Sequence, residues 1–239
     1  MGLCFTASEI SVPDDSTNNM LQNYVIWNNR HDWPQDGDEW TGQAELCGVS
    51  YSSWKDSLVS RLILPNAGCT KNVLEIGPGH GRWSSFLIPN SAFCTLVDLS
   101  PNCLDYCRMR FSQSSNVEYF LTTGTSLPRY CDAQIDFVWS YDSFVHMSPG
   151  VIARYVAEIA RVLRPTAVAI IHHANIRDPS SHCQDAHPGW RSAVDNALLR
   201  SCAEQSRLMV EQQFVYWDED KKIGVPNHGD SITVFRRIA

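Results

Sequence analysis

The chain has 239 residues, 44% of them hydrophobic and 19% charged, so one domain with a sizeable core is expected rather than a disordered segment. It has 19 Lys and Arg residues against 26 Asp and Glu residues, and the net charge of −7 argues against an electrostatic grip on nucleic acid. No apolar run approaches the roughly 18 residues that span a bilayer. Nine cysteines without a CxxC pair suggest neither a disulfide framework nor a zinc site, so a reducing, cytoplasmic compartment is expected.

The first third of the chain falls into two parts. Residues 1–20 are polar and rich in turn formers, which predicts a mobile lead-in. Gly2 and Thr6 match the short N-myristoylation pattern, which often occurs by chance. Residues 21–66 hold half of the eight tryptophans and a predicted helix over 51–64. The four tryptophans are Trp27, Trp33, Trp40 and Trp54.

From residue 67 onward, short apolar strands alternate with amphipathic helices. The strands are predicted over residues 71–77, 92–100, 116–123, 133–142 and 167–175. The helices are predicted over 81–88, 102–111 and 149–163. This alternation indicates βαβ units and an α/β fold with a doubly wound, mostly parallel sheet.

The regular alternation ends at a long polar loop over residues 176–189. A helix is predicted next, over 190–208, and then two strands over 210–217 and 231–237. The connection between these strands is too short for a crossover helix. We therefore expect an antiparallel pair at one edge, giving a seven-stranded sheet with an antiparallel edge strand.

A glycine-rich turn follows the first of these strands, in the segment VLEIGPGHGRW over residues 73–83. Gly77, Gly79 and Gly81 allow a sharp turn and a close approach of backbone to a ligand. Asp98 ends the second strand, 21 residues after the first glycine, where a carboxylate can accept hydrogen bonds from a ribose. Asp98 could instead cap the next helix, but Ser100 followed by Pro101 is the better cap.

The G-x-G-x-G spacing, preceded by an acidic residue, resembles the first motif of the class I S-adenosylmethionine-dependent methyltransferases. The resemblance covers about residues 70–175 and includes the acid after the second strand, the turn after the third strand and the whole fourth strand. It implies S-adenosylmethionine as the cofactor. The implied cofactor residues are Glu75, Gly77, Pro78, Gly79, Gly81, Asp98, Leu99, Gly124, Thr125, Ser126 and Ser140. One departure is that Thr123 and Thr125 stand in the third-strand turn, where the family often has an aspartate for the adenine.

The resemblance also assigns roles to the parts of the chain. Residues 67–239 are the expected methyltransferase domain, and residues 21–66 are an expected helical lid that closes over the cofactor. Aromatic rings there can exclude water and contact a sulfonium, and Trp40 is the residue we expect nearest the cofactor. Simple packing of these tryptophans on the sheet remains an equally good interpretation.

Methyl transfer to an alcohol or phenol also needs a group that accepts the proton. Side chains that follow the fourth and fifth strands are the candidates, and His146 is the first choice. His173 and His172 come next, although strand alternation sends them to opposite faces. Asp142 could orient a histidine or bind the substrate. Further polar residues in the later loops are Asn175, His182, Asp185, His187, His228 and Asp230.

The expected reaction is methylation of a small molecule, most favourably at a hydroxyl oxygen, with a histidine as general base. A small-molecule N-methyltransferase, a non-catalytic cofactor-binding partner and a nicotinamide oxidoreductase remain open as alternatives. No metal is predicted, because no spacing is diagnostic of a metal site. The acceptor itself and the oligomeric state cannot be read from the sequence.

Overall fold

A computed structural model describes residues 16–176 and 190–239. Its helices are α1 (Ser16–Tyr24), α2 (Gly42–Leu46), α3 (Tyr51–Leu58), α4 (Ser84–Leu87), α5 (Pro101–Arg110), α6 (Pro149–Val162) and α7 (Asn196–Gln205). Its strands are β1 (Gly68–Ile76), β2 (Ser91–Asp98), β3 (Val117–Leu121), β4 (Ile135–Ser140), β5 (Leu163–His173), β6 (Leu208–Phe214) and β7 (Ser231–Arg237). No helix in the described part is long and apolar enough to cross a membrane.

The seven strands form one sheet in the order β3-β2-β1-β4-β5-β7-β6. The strands β3, β2, β1, β4 and β5 are parallel to one another, while β7 runs antiparallel to both β5 and β6. This confirms the predicted seven-stranded, mostly parallel sheet with an antiparallel pair at one side. The outermost strand of that pair is β6, and β7 lies between it and β5.

Helices cover both faces of the sheet because the central strands are apolar on both sides. Leu74 and Ile76 of β1 face a core built with α6 and α7. Val73, which strand alternation directs to the opposite face, packs in a second core built with α3 and α4. The N-terminal layer is anchored there through Trp54, whose indole N–H donates to the carbonyl of Gly224 at 2.8 Å.

Three predicted boundaries are wrong. Residues 16–20 are not a lead-in but the first part of α1, held by buried asparagines that contact the loop after β4. The helix predicted over 190–208 begins only at Asn196, where the Asp195 carboxylate accepts from the amide of Leu198 and caps it. The helix predicted over 81–88 is reduced to the single turn of α4.

The third glycine of the turn after β1 is needed for packing. Gly81 has a φ of +86°, and a Cβ at this position would lie 2.6 Å from the ring of Phe111, at the end of α5. An alanine here would therefore be strained and would also clash with a packed aromatic ring. Gly48 has a similar φ of +66° but nothing within 4 Å of the corresponding position.

We predict that Gly81→Ala lowers the free energy of unfolding by about 1–3 kcal/mol more than Gly48→Ala does, because only Gly81 adds overpacking to backbone strain. Urea denaturation of the two variants measures the difference. Equal losses would show that Phe111 does not restrict this turn.

Candidate functional site

A cavity of about 340 Å³ lies at the carboxyl ends of β1, β2 and β4. In doubly wound sheets this edge is where ligands bind. The turn after β1, the residues after β2 and β4, and the N-terminal segment all contribute to its wall. Of the residues predicted for the site, it is lined by Trp40, Gly77, Pro78, Gly79, Asp98, Leu99, Asp142 and His146.

The first two glycines of the turn are closely covered on both sides. Gly77 has a φ of +70°, and a Cβ there would lie 2.1 Å from the hydroxyl oxygen of Ser143. Gly79 has a φ of +55°, and a Cβ there would lie 2.6 Å from the ring of Trp33. Only glycine fits at either position, so the backbone itself forms this wall of the cavity.

Asp98 lies at the end of β2 with its carboxylate buried. One oxygen accepts from the amide of Ser100 at 2.8 Å, and the other accepts from the amide of Gly79 at 3.3 Å. Burial raises the pKa of Asp98 to about 6 in spite of these hydrogen bonds. Ser100 caps α5, as predicted, since its hydroxyl accepts from the amide of Cys103. Asp98 is therefore available to a ligand.

Several other predicted cofactor residues lie outside this cavity. The Glu75 carboxylate is buried and accepts from the Ser84 hydroxyl, and burial raises its pKa to about 8. Ser140 donates to the carbonyl of Ile76 at 2.8 Å, so it ties β4 to β1. Gly81 packs beneath Phe111, as described above.

The turn after β3 is covered by α1. A Cβ at Gly124 would lie 2.9 Å from the sulfur of Met20, and the Thr122 hydroxyl donates to the carbonyl of Ser126 at 2.7 Å. Gly124, Thr125 and Ser126 therefore do not line the main cavity.

All four tryptophans of residues 21–66 line the cavity: Trp27, Trp33, Trp40 and Trp54. Trp33 stacks on His80 at 4.8 Å between ring centroids, directly over the glycine turn. Trp40 stacks on His31, whose Nε2 lies 3.0 Å from the carboxylate of Glu39. Trp40 thus lies at the cavity wall, and its role in a lid stays a prediction.

His146 lines the same cavity, and its ring lies between the rings of Trp27 and Trp190. A hydrogen bond to the backbone of Trp190 engages one ring nitrogen, while Nδ1 has no partner within the described residues. In the tautomer that is protonated at Nε2, Nδ1 carries a lone pair that a ligand can reach. Burial and the charge of Arg191 lower the pKa of His146 to about 3, so the ring is neutral near pH 7.

The other two candidate histidines do not reach the cavity. His173 is a correction: its two ring nitrogens lie 2.7 Å from the carbonyl of Ala174 and the hydroxyl of Thr233, so neither is free to accept a proton. His172 is fully buried behind Tyr141, at 4.2 Å between ring centroids. The sequence does place them on opposite faces, but both faces are occupied by protein.

His172 lies between two carboxylates, with Nδ1 3.2 Å from Asp142 and Nε2 3.2 Å from Asp230. Burial alone would lower the pKa of His172, but these carboxylates raise it. Asp142 also pairs with Arg82 at 2.6 Å, and the pKa of Asp142 is held well below its usual range by His172 and Arg82 despite burial. Asp142 is therefore a fixed anion at the cavity wall and not a proton acceptor.

Among the polar residues of the cavity wall that sequence reasoning did not identify are Arg82, Tyr141 and Arg191. Arg82 immediately follows the glycine turn and Tyr141 immediately follows β4, so proximity to those motifs was the available signal. Arg191 lies in a segment predicted as helix, and its guanidinium pairs with both oxygens of Asp230.

Some predicted polar residues remain to be placed. His182, Asp185 and His187 lie outside the described residues, as does the side chain of His228. Asn175 accepts from the amide of Asn196, which fixes the chain after β5. In the described part, no three His, Cys, Asp or Glu side chains converge as a metal site would require.

Comparison with known proteins now adds to this geometry. Residues 73–166 match the model of a family described as a methyltransferase domain. A fatty-acid O-methyltransferase of Mycolicibacterium smegmatis is 29% identical over 138 residues, which are 57% of this chain and 46% of that protein.

Two solved structures share the fold. The phosphoethanolamine N-methyltransferase 1 of Haemonchus contortus, bound to phosphoethanolamine and S-adenosylhomocysteine, superposes with a TM-score of 0.70 at 15% identity and covers 93% of this chain and 50% of that chain. The geranyl diphosphate C-methyltransferase of Streptomyces coelicolor A3(2) gives a TM-score of 0.68 at 13% identity, covering 95% of this chain and all of that one. The chain thus spans about half the length of the fatty-acid and phosphoethanolamine enzymes.

The residues present fit the cofactor of this family. The glycine turn and the Asp98 carboxylate at the end of β2 line one cavity, and so do side chains with a buried polar atom that has no partner within the described residues, among them Arg82, Tyr141 and His146. Together, the match of residues 73–166 to a methyltransferase domain and the sheet order support a class I S-adenosylmethionine-dependent methyltransferase.

Proposed function

We propose that this chain transfers a methyl group from S-adenosylmethionine to a hydroxyl oxygen of a small molecule. The observation that carries the proposal is the unpaired Nδ1 of His146 at the wall of the cavity. A buried nitrogen lone pair that receives no hydrogen bond costs free energy. The hydroxyl group of the molecule that is methylated would donate the missing hydrogen bond. The similarity to an enzyme named as an O-methyltransferase supports oxygen over nitrogen or carbon.

When bound, S-adenosylmethionine supplies a methyl group that is activated by its sulfonium leaving group. His146 accepts the hydroxyl proton at Nδ1 while the oxygen forms its bond to the methyl carbon. The carbon–sulfur bond breaks and its electron pair stays on sulfur, so charge and atoms balance. The attacking oxygen becomes positively charged as its new bond forms, which makes its proton strongly acidic. A neutral imidazole of pKa about 3 is then basic enough to take that proton.

The surroundings of the cavity support a small, largely apolar acceptor. The two arginines that line the cavity are each paired with an aspartate, Arg82 with Asp142 and Arg191 with Asp230. The cavity therefore offers no row of free cations for the phosphate backbone of a nucleic acid. Tryptophan rings form much of the remaining wall. Such rings exclude water and favour apolar contact with the acceptor.

We predict that His146→Ala lowers kcat at least about tenfold, because the proton acceptor is lost, and leaves the affinity for S-adenosylhomocysteine within about threefold. Turnover is followed as S-adenosylhomocysteine formed with the best acceptor from a panel of phenols, alcohols and amines. The matched control is His80→Ala, since this histidine stacks on Trp33 and Tyr106 outside the cavity. Full activity of His146→Ala, or an amine as the best acceptor, would contradict the proposal.

The affinity of the cavity for S-adenosylhomocysteine should depend on pH. If the Asp98 carboxylate accepts hydrogen bonds from the cofactor ribose, binding requires its charged form, and that form is lost as the pH falls below its pKa of about 6. The Kd for S-adenosylhomocysteine should therefore rise toward about tenfold per pH unit between pH 6 and pH 5 and level off above pH 7. Calorimetric titrations across this range measure the profile. Asp98→Asn should bind weakly with no such slope, and the same slope in this variant would assign the titration to another group.

A further inference from the structure

The side chain of Gln43 joins the N-terminal segment to the chain just before β7. Its Nε2 donates to the carboxylate of Asp230 at 3.3 Å, and its Oε1 accepts from the backbone amide of Asn227 at 2.9 Å. Gln43 is 7% exposed, and it lines the cavity together with Asn227. One buried amide therefore holds two parts of the cavity wall that lie at opposite ends of the sequence.

The backbone of α2 also comes close to Asn227. A Cβ at Gly42 would lie 3.0 Å from Nδ2 of Asn227, which is closer than ordinary van der Waals contact. Thr41 and Gly42 line the cavity as well. The start of α2 and Asn227 thus meet at the cavity wall with little space between them.

The contacts of Gln43 lie far from Asp98, the carboxylate that we expect to bind the cofactor ribose. Asp98 ends β2, and Asp230 directly precedes β7, whose first residue pairs with the last residue of β5. Both carboxylates are therefore at the same edge of the sheet. β7 is four positions from β2 in the strand order, so at about 4.8 Å per strand they lie roughly 19 Å apart.

Gln43 lies instead on the same side as the proposed base. Asp230 pairs with Arg191, and burial together with the charge of Arg191 lowers the pKa of His146. Arg191 and His146 line the cavity with Gln43. With the ribose at Asp98, the space between His146 and Gln43 is the part left for the acceptor. We call this space the acceptor end.

We infer that Gln43 closes the acceptor end and sets the longest acceptor that the chain can bind. Loss of its side chain should open this end without unfolding the chain. Asp230 keeps Arg191 and His172 as neighbours, and the indole of Trp54 still anchors α3 to the connection between β6 and β7. The inference rests on the proposed function, because it assigns this end of the cavity to the acceptor.

The test measures the binding of 4-alkylphenols, from phenol to 4-octylphenol, to the chain saturated with S-adenosylhomocysteine. Each methylene that is buried should raise the affinity about fourfold until the alkyl chain reaches the closed end. In the unchanged chain this gain should stop within the series. In Gln43→Ala it should continue for about two more methylenes, and the Kd for S-adenosylhomocysteine should stay within about threefold.

The matched control is Gln213→Ala, which removes the same side chain outside the cavity. Nε2 of Gln213 donates to the carbonyl of Asn196 and to the hydroxyl of Thr233, and Gln213 does not line the cavity. This variant should keep the length limit of the unchanged chain. Circular dichroism checks that the variants are folded, and Gln43→Ser shortens the same side chain if Gln43→Ala is not.

The same length limit in Gln43→Ala and in the unchanged chain would overturn the inference. So would an equal shift in Gln213→Ala, a gain that continues to 4-octylphenol in the unchanged chain, or no binding of any phenol. None of these measurements needs methyl transfer. Full turnover of His146→Ala would therefore refute the proposed base and leave the length limit standing. An unshifted limit in Gln43→Ala would refute the inference and leave the proposed reaction standing.

Discussion

A buried row of charges organises the carboxyl edge of the sheet. It runs from Arg82 to Asp142, past His172, and on through Asp230 to Arg191. Its members come from the turn after β1, the loop after β4, the end of β5, the segment before α7 and the residue before β7. Charges removed from water are costly unless they are paired. Breaking one of these pairs would leave a buried charge without a partner, so the pairs hold the five segments next to one another. Arg82, Asp142 and Arg191 of this row line the cavity, so these ion pairs help to fix its wall.

This constraint also explains which histidine is available for chemistry. His172 belongs to the row and cannot leave it without exposing two aspartates to an apolar interior. His173 links β5 to β7, because its Nε2 lies within hydrogen-bond distance of the Thr233 hydroxyl. The ring of His146 contacts those of Trp27 and Trp190, and two side-chain amides of α1, from Asn19 and Asn23, donate to its carbonyl. The proposed base is thus positioned by α1, which also leads into the tryptophan segment.

The sequence predicted the strands, the glycine turn, Asp98 and the Ser100 cap because each depends on neighbours within a few residues. The residues it missed depend on contacts far along the chain. Asn19 and Asn23 look like solvent-exposed polar positions, yet they bond to a carbonyl more than 120 residues away. Arg191 fits a helical pattern, but its pairing with Asp230 holds it in an irregular segment. The local hydrophobic periodicity of a sequence does not predict pairings between residues so far apart along the chain.

The most direct measurement of the central claim is a crystal structure of the chain with S-adenosylhomocysteine bound. The account predicts that the ribose hydroxyls contact the Asp98 carboxylate and that the sulfur faces the side of the cavity where His146 Nδ1 lies. An acceptor oxygen should then fit between that sulfur and Nδ1. A ribose bound away from Asp98, or a sulfur directed away from His146, would contradict it.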